Sequence, residues 1–240
     1  MPGAKASSAC ERLIATEGVR VRDSYHEQLD AIGDGLVEMS RLAGSAVSRA
    51  TTALLDADLE LAQKVIAGDE AVNALYRSIE GQAFDLLARQ QPVAGDLRVL
   101  VTSLRMVVDL ERTGDYAVHL AKIARRRYPA SAVPPELRST ILEMGQTAQR
   151  IAVKAGSVIA SRDLDLAAEL VRDDDTMDEL HRKLFTAMLA ASWQYGTEAA
   201  IDVTLAGRYY ERLADHAVAV ARRVVYLVTG EFVDEDTLAE

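Results

Sequence analysis

The chain has 240 residues, enough for one large domain or two of about 120, either of which can bury a core. Its formal net charge of -10 argues against a surface that tracks nucleic-acid phosphates, and a single cysteine, Cys10, excludes an intramolecular disulfide framework. With 49% hydrophobic but only 5% aromatic residues, the apolar content is mostly Ala, Leu and Val, the composition of a helical protein.

Residues 1–22 mix Lys5, Glu11, Arg12, Glu17 and Arg20 with no apolar central stretch, so no signal peptide is read there and the cytoplasm is the expected location. This segment is expected to be a disordered extension outside the repeats. From Tyr25 the residues Leu29, Ile32, Leu36, Met39, Ala43, Ala46, Ala50 and Ala53 follow in steps of four and three, the seam of a long bundle helix. A second helix carries that rhythm from Leu61 to Leu86 and stops before Pro92, since proline disfavours helix in the residue preceding it. A third runs from about Asp96 to Tyr128. "PASAVPP" at 129–135 is the expected linker between two halves.

The plan then repeats, with helices over about 135–161, 163–195 and 197–229 and Gly230 as a C-terminal cap. A shift of 105 places Leu61 on Leu166, Val65 on Leu170, Val72 on Met177, Leu75 on Leu180 and Ile79 on Leu184. In the third helices a shift of 100 matches identities: Glu111 and Glu211, Arg112 and Arg212, Asp115 and Asp215, Ala117 and Ala217, Val118 and Val218. The sequence therefore predicts an all-α fold of two pseudo-symmetric three-helix bundles made by internal duplication. The repeats span 23–128 and 136–230, followed by an acidic tail at 231–240. No apolar run approaches the ~18 residues that a membrane span needs.

A helix turns about 100° per residue, which puts Glu111 and Asp115 inside the apolar stripe of the third helix and not opposite it. A carboxylate buried there must be neutralised, paired or bound to a cation. His119 extends the same line at i+8. The second copy repeats the acids as Glu211 and Asp215, but has Ala219 at the histidine position and Arg208 and Arg222 on the same face. The middle helices add Asp69 and Asn73 in one half and Asp174 and Asp178 in the other. Oxygen ligands gathered from several helices are how bundles hold iron, zinc, manganese or magnesium. Internal salt bridges are the competing account, and an ordinary ion pair is expected for Arg112 and Arg212.

Arg125, Arg126 and Arg127 near a helix C-terminus offset the helix dipole, with an anionic membrane surface or acidic partner as the alternative. His26, His181 and His216 show no metal spacing with one another and read as seam or surface residues, and Trp193 and Tyr195 as packing at a helix end. A ferritin-like di-metal enzyme would need Glu-x-x-His on two helices; "DELH" at 178–181 offers one Asp version. No Gly-rich phosphate loop is present, and no phosphate pocket is legible.

"DLERTGDYAVHLAKIA", "YYERLADHAVAVARRVVYLVTG" and "PVAGDLR" at 92–98 resemble the signature segments of the PhoU family of phosphate-signalling regulators, over about 23–230. "RDSYHEQL" at 22–29 is similar to actinobacterial members. The resemblance implies a cytoplasmic, non-enzymatic regulator, acting as a homodimer, that contacts the ATPase subunit of a phosphate ABC transporter and a sensor histidine kinase, approaching the membrane only through them. It also implies metal clusters on the Glu-x-x-x-Asp helices, as in some relatives, which carries over to Glu111, Asp115, Glu211 and Asp215. The family's Asn after the Asp is replaced by His119 and Ala219, which makes Glu111, Asp115, His119 and Asp69 the stronger expected site. A metal-free adaptor bundle has the same expected fold.

Overall fold

The computed structural model describes the backbone of residues 4–232 and the side chains of residues 24–232. Six helices follow in order: α1 (Ala4–Asp56), α2 (Leu59–Gln90), α3 (Ala94–Arg127), α4 (Arg138–Ser161), α5 (Leu164–Leu189) and α6 (Gly196–Thr229), with a 3-10 turn at Pro135–Leu137. No strand occurs among the described residues. Helix α1 begins well before the apolar seam that opens at Tyr25. The expected disordered segment 1–22 falls outside the described side chains, and the acidic tail from 233 lies outside the described residues altogether.

The duplication reaches into the turns. Ala57 (φ 52°) is left-handed and Asp58 then caps α2 by accepting from the Leu61 amide at 2.9 Å. At a shift of 105, Arg162 (φ 54°) is left-handed and Asp163 caps α5, accepting from the amides of Asp165 and Leu166. The Asp side chains satisfy amides that the first helical turn leaves without partners. Gly230 (φ 83°) ends α6 as expected, and its N–H donates to the Tyr226 carbonyl.

Packing joins the halves more closely than two tethered bundles. Helices α1, α3, α6 and α4 form a ring, each touching the next, while α2 flanks α1 and α3 and α5 flanks α4 and α6. Ile32, Leu36, Met39, Leu100, Leu110, Ile141, Met144 and Tyr210 fill its interior. Small residues set the α1–α4 distance: a Cβ on Gly145 would lie 2.4 Å from Thr51, and one on Gly156 2.6 Å from the Ser40 hydroxyl. That hydroxyl donates to the Ala152 carbonyl, and Thr51 shares a 2.8 Å hydrogen bond with the buried Tyr210 hydroxyl of α6.

The linker at 129–135 packs against the core through Ala132 and Val133, both buried. One expectation shifts. Helix α5 stops at Leu189 and not near 195. Residues 190–195 form a turn in which the Trp193 indole donates to the Gly196 carbonyl at 3.0 Å, and Trp193 and Tyr195 meet edge to face.

Candidate functional site

Helix α3 carries Glu111 and Asp115 one turn apart, and α2 brings Asp69 to them. Gly114 faces them, and a Cβ there would be in ordinary contact with Val72 at 3.4 Å and Asp69 Oδ1 at 3.6 Å. The Asn73 amide donates to Asp69 Oδ2 at 2.8 Å. Burial raises the Asp69 carboxyl above the usual range, and the Asp115 charge adds to it against the opposing Asn73 hydrogen bond. Burial, then Asp115, raises Glu111, with Arg112 opposing. Like charges in a partly dry seam disfavour the ionised form.

The ion pair expected of Arg112 is present, 3.3 Å from Asp115 and 3.6 Å from Glu111. Its guanidinium is half exposed, so the pair contributes at most about 1 kcal/mol. His119 stacks on Tyr209 of α6, ring centroids 5.0 Å apart. Each step of four residues rotates the line by about 40°, so eight residues carry the side chain from the α2 side toward α6.

In the second half Asp174 of α5 is near the charges of Asp178 on its own helix and Asp215 of α6, and Asp215 is near that of Glu211. Burial raises Asp174 to about 7, helped by Asp178, Asp215 and Asp175 and opposed by Arg222. Burial and Glu211 raise Asp215 against Arg208 and Arg212. Arg208 bonds directly to Glu211, as the salt-bridge account anticipates. Arg212 departs from its expected ion pair: its Nε donates to the Tyr116 hydroxyl at 2.9 Å, and its guanidinium lies over that ring.

Sequence reasoning missed three residues. His181, read as a seam or surface position, sets its Nδ1 3.7 Å from Glu211, and its buried Nε2 has no hydrogen-bond partner. It fits because position 207 is glycine; a Cβ there would meet the ring at 3.1 Å. Asp109, inside "VVDLER", accepts from Arg223 Nε at 2.6 Å and pairs with His216 Nδ1 at 3.1 Å. Asp202, 2% exposed, bonds both Arg126 and Arg127, which commits two arginines otherwise read as open to a membrane or partner. None of these acids has a motif; only the antiparallel pairing of α3 with α6 gives each its partner.

The carboxylates are close enough to raise one another's pKa, yet among the described residues no group of three or more His, Cys, Asp or Glu is arranged to hold a metal ion. Arg112 and Arg208 hold acids of the two clusters in ion pairs. Carboxylate oxygens drawn from two helices are the donor type that a hard cation takes. Among the described residues no helix is long and apolar enough to cross a membrane.

The PhoU domain model matches residues 36–124 and 141–224. The chain is 50% identical over 212 residues to the phosphate-specific transport system accessory protein PhoU homolog 2 of Mycobacterium tuberculosis, covering 88% of this chain and 100% of that one. It is 48% identical to PhoU homolog 1 of Mycobacterium leprae, covering 91% and 98%. The crystal structure of PhoU from Pseudomonas aeruginosa superimposes with a TM-score of 0.79 at 32% identity, covering 86% of this chain and 100% of that one.

Proposed function

This chain belongs to the PhoU family, whose members are accessory regulatory proteins and not enzymes, and from that premise we propose that it restrains phosphate uptake and phosphate-starvation signalling in the cytoplasm. It does so by contact with the ATPase subunit of a phosphate ABC transporter and with a sensor histidine kinase, as a homodimer. The observation that carries this reading is the pair of PhoU domains within a chain that aligns along almost its whole length with phosphate-transport accessory proteins. Deleting the gene should derepress phosphate-starvation genes in phosphate-rich medium, and the tagged protein should copurify with the transporter ATPase. Unchanged expression, with no second copy of the gene to compensate, refutes the reading.

We also propose that the two acid clusters take up cations, ferric or divalent iron, zinc, manganese or magnesium. Asp69, Glu111 and Asp115 form one ligand set, with His119 the expected addition from sequence; Asp174, Asp178, Glu211 and Asp215 form the other. A bound cation would neutralise the clustered carboxylates. Supporting this are the raised pKa values of Asp69, Glu111, Asp174 and Asp215, each partly caused by a neighbouring carboxylate. The metal-free adaptor is the second reading, favoured by the ion pairs of Arg112 and Arg208 with these same acids. Elemental analysis of protein purified without chelator separates them.

A further inference from the structure

Leu97, Val101, Leu104 and Val108 of α3 follow in steps of four, three and four along the side of the helix turned away from the core. Leu97, Val101 and Val108 are 41%, 39% and 41% exposed, and Leu104 is half-buried. Such a stripe is the seam for a further helix, and among the described residues no helix covers it.

The fold does not require this stripe. At a shift of 100 the second repeat has Thr197, Thr204 and Arg208 in place of Leu97, Leu104 and Val108, and it builds the same three-helix arrangement. Only Val101 keeps an apolar counterpart, Ile201. Contiguous apolar side chains held in solvent where packing makes no demand for them mark a contact surface. We propose that the α2–α3 groove is the docking site for an amphipathic helix of a partner protein, apolar on one face and basic along its flank. The proposal rests on the partner contact read above and adds where that contact lies and what it recognises.

Helix α2 forms the second wall. It runs antiparallel to α3 across a short turn, with Gly114 of α3 facing Val72 and Asp69, and this register brings Phe84, 56% exposed, level with Val101. Apolar anchors at one end of the groove therefore come from both helices. Toward the other end the walls turn acidic: the Tyr76 hydroxyl donates to Glu80 at 3.1 Å and lies near the Glu111 charge, with Asp115 and Asp69 beyond it. Arg112 stands at that end already paired with Asp115 and Glu111. A helix with an apolar face and Lys or Arg beside it matches this order, the apolar face giving affinity and the charges giving orientation. A second copy of this chain fits worse, because it brings a net charge of -10 and the same acids to the acids already there.

The test uses the full chain, tagged, in its host, with the transporter ATPase subunit as the probe. The parent should copurify with that subunit. The photoreactive amino acid p-benzoylphenylalanine at position 101 should crosslink to a peptide of it whose apolar residues recur every three or four positions with Lys or Arg at their side. Giving the stripe the second repeat's own residues, Leu97→Thr, Leu104→Thr and Val108→Arg together, should reduce capture about tenfold or more. Leu142→Thr, exposed on α4, should leave it unchanged. Asp69, Glu111 and Asp115 remain in the triple variant, so cation uptake at their cluster is not what is lost. Where the triple variant's melt departs from the parent's, Val108→Arg alone, at an exposed position, carries the test with the same expected direction. A parent that captures no ATPase subunit refutes the contact reading and this inference with it. Capture that survives replacement of the stripe, no crosslink from position 101, or a crosslink to a second copy of this chain or to a segment without that pattern overturns the docking site alone and leaves the contact reading standing.

Discussion

Asp109 of α3 and Arg223 of α6 are joined by a 2.6 Å hydrogen bond across the boundary between the two repeats. Asp109 is 6% exposed and also meets the His216 ring, so its charge is compensated from the opposite half of the molecule.

Asp109→Asn keeps the shape and removes the charge, leaving Arg223 without its partner. Breaking one side of a largely buried pair costs about 2 to 3 kcal/mol here, below the fully buried range because Arg223 is partly exposed. Urea denaturation should show that loss. A change under 0.5 kcal/mol, roughly the noise of surface substitutions, would mean the bond holds nothing together.

Asp174 sets a pH dependence. Its carboxyl titrates near 7 in the folded protein against 3.8 as its ordinary value, because of burial and the charges of Asp178, Asp215 and Asp175, with Arg222 opposing. Between those values the folded state holds a proton that the unfolded chain has released, so metal-free stability falls as pH rises from about 4 to about 7. Allowing for partial exposure, the effect is of order 2 kcal/mol. Asp174→Asn should flatten this slope. A variant that retains the parent's pH profile would rule Asp174 out as its origin.

Changing Glu111 and Asp115 together to Ala should remove the metal of the first cluster while the bundle stays folded, since metal-free carboxylates on that face repel one another. On the salt-bridge account the same double change instead destabilises the metal-free protein, though by no more than ~1 kcal/mol given the exposure of Arg112. Melts with and without chelator, run on both proteins, discriminate. A parent melt unmoved by chelator, with less than roughly a tenth of an equivalent of transition metal against the near-stoichiometric occupancy of a structural site, ends the metal reading.

Gly145→Ala tests the α1–α4 contact. The added Cβ would fall 2.4 Å from Thr51, whose hydroxyl is tied to Tyr210, so the helices must separate. Overpacking of this kind costs about 1 to 3 kcal/mol. Gly81→Ala, with nothing within 4 Å, is the control and should be neutral or stabilising.

The sequence alone determined the elements. Steps of three and four from Tyr25 to Ala53 recur as buried positions of α1 except at Leu29 and Ala46, which are half-buried, and Pro92 and Gly230 stand where α2 and α6 end, because periodicity and backbone stereochemistry act over a few residues. Placing Glu111, Asp115 and Glu211 at the half-buried edge of the seam was equally local, a matter of rotation about one axis, whereas Asp215, expected beside them, is exposed. The end of α5 was misjudged by about six residues, since the Trp193 indole bond to Gly196, and not a proline or glycine at 190, organises that turn. Only the tertiary structure decided which side chains face each other across helices. It gave Asp202 to Arg126 and Arg127, Asp109 to Arg223, and the His119 ring to Tyr209. Those pairings depend on the antiparallel register of α3 against α6, which is fixed by packing between residues about a hundred positions apart and is written in no local pattern.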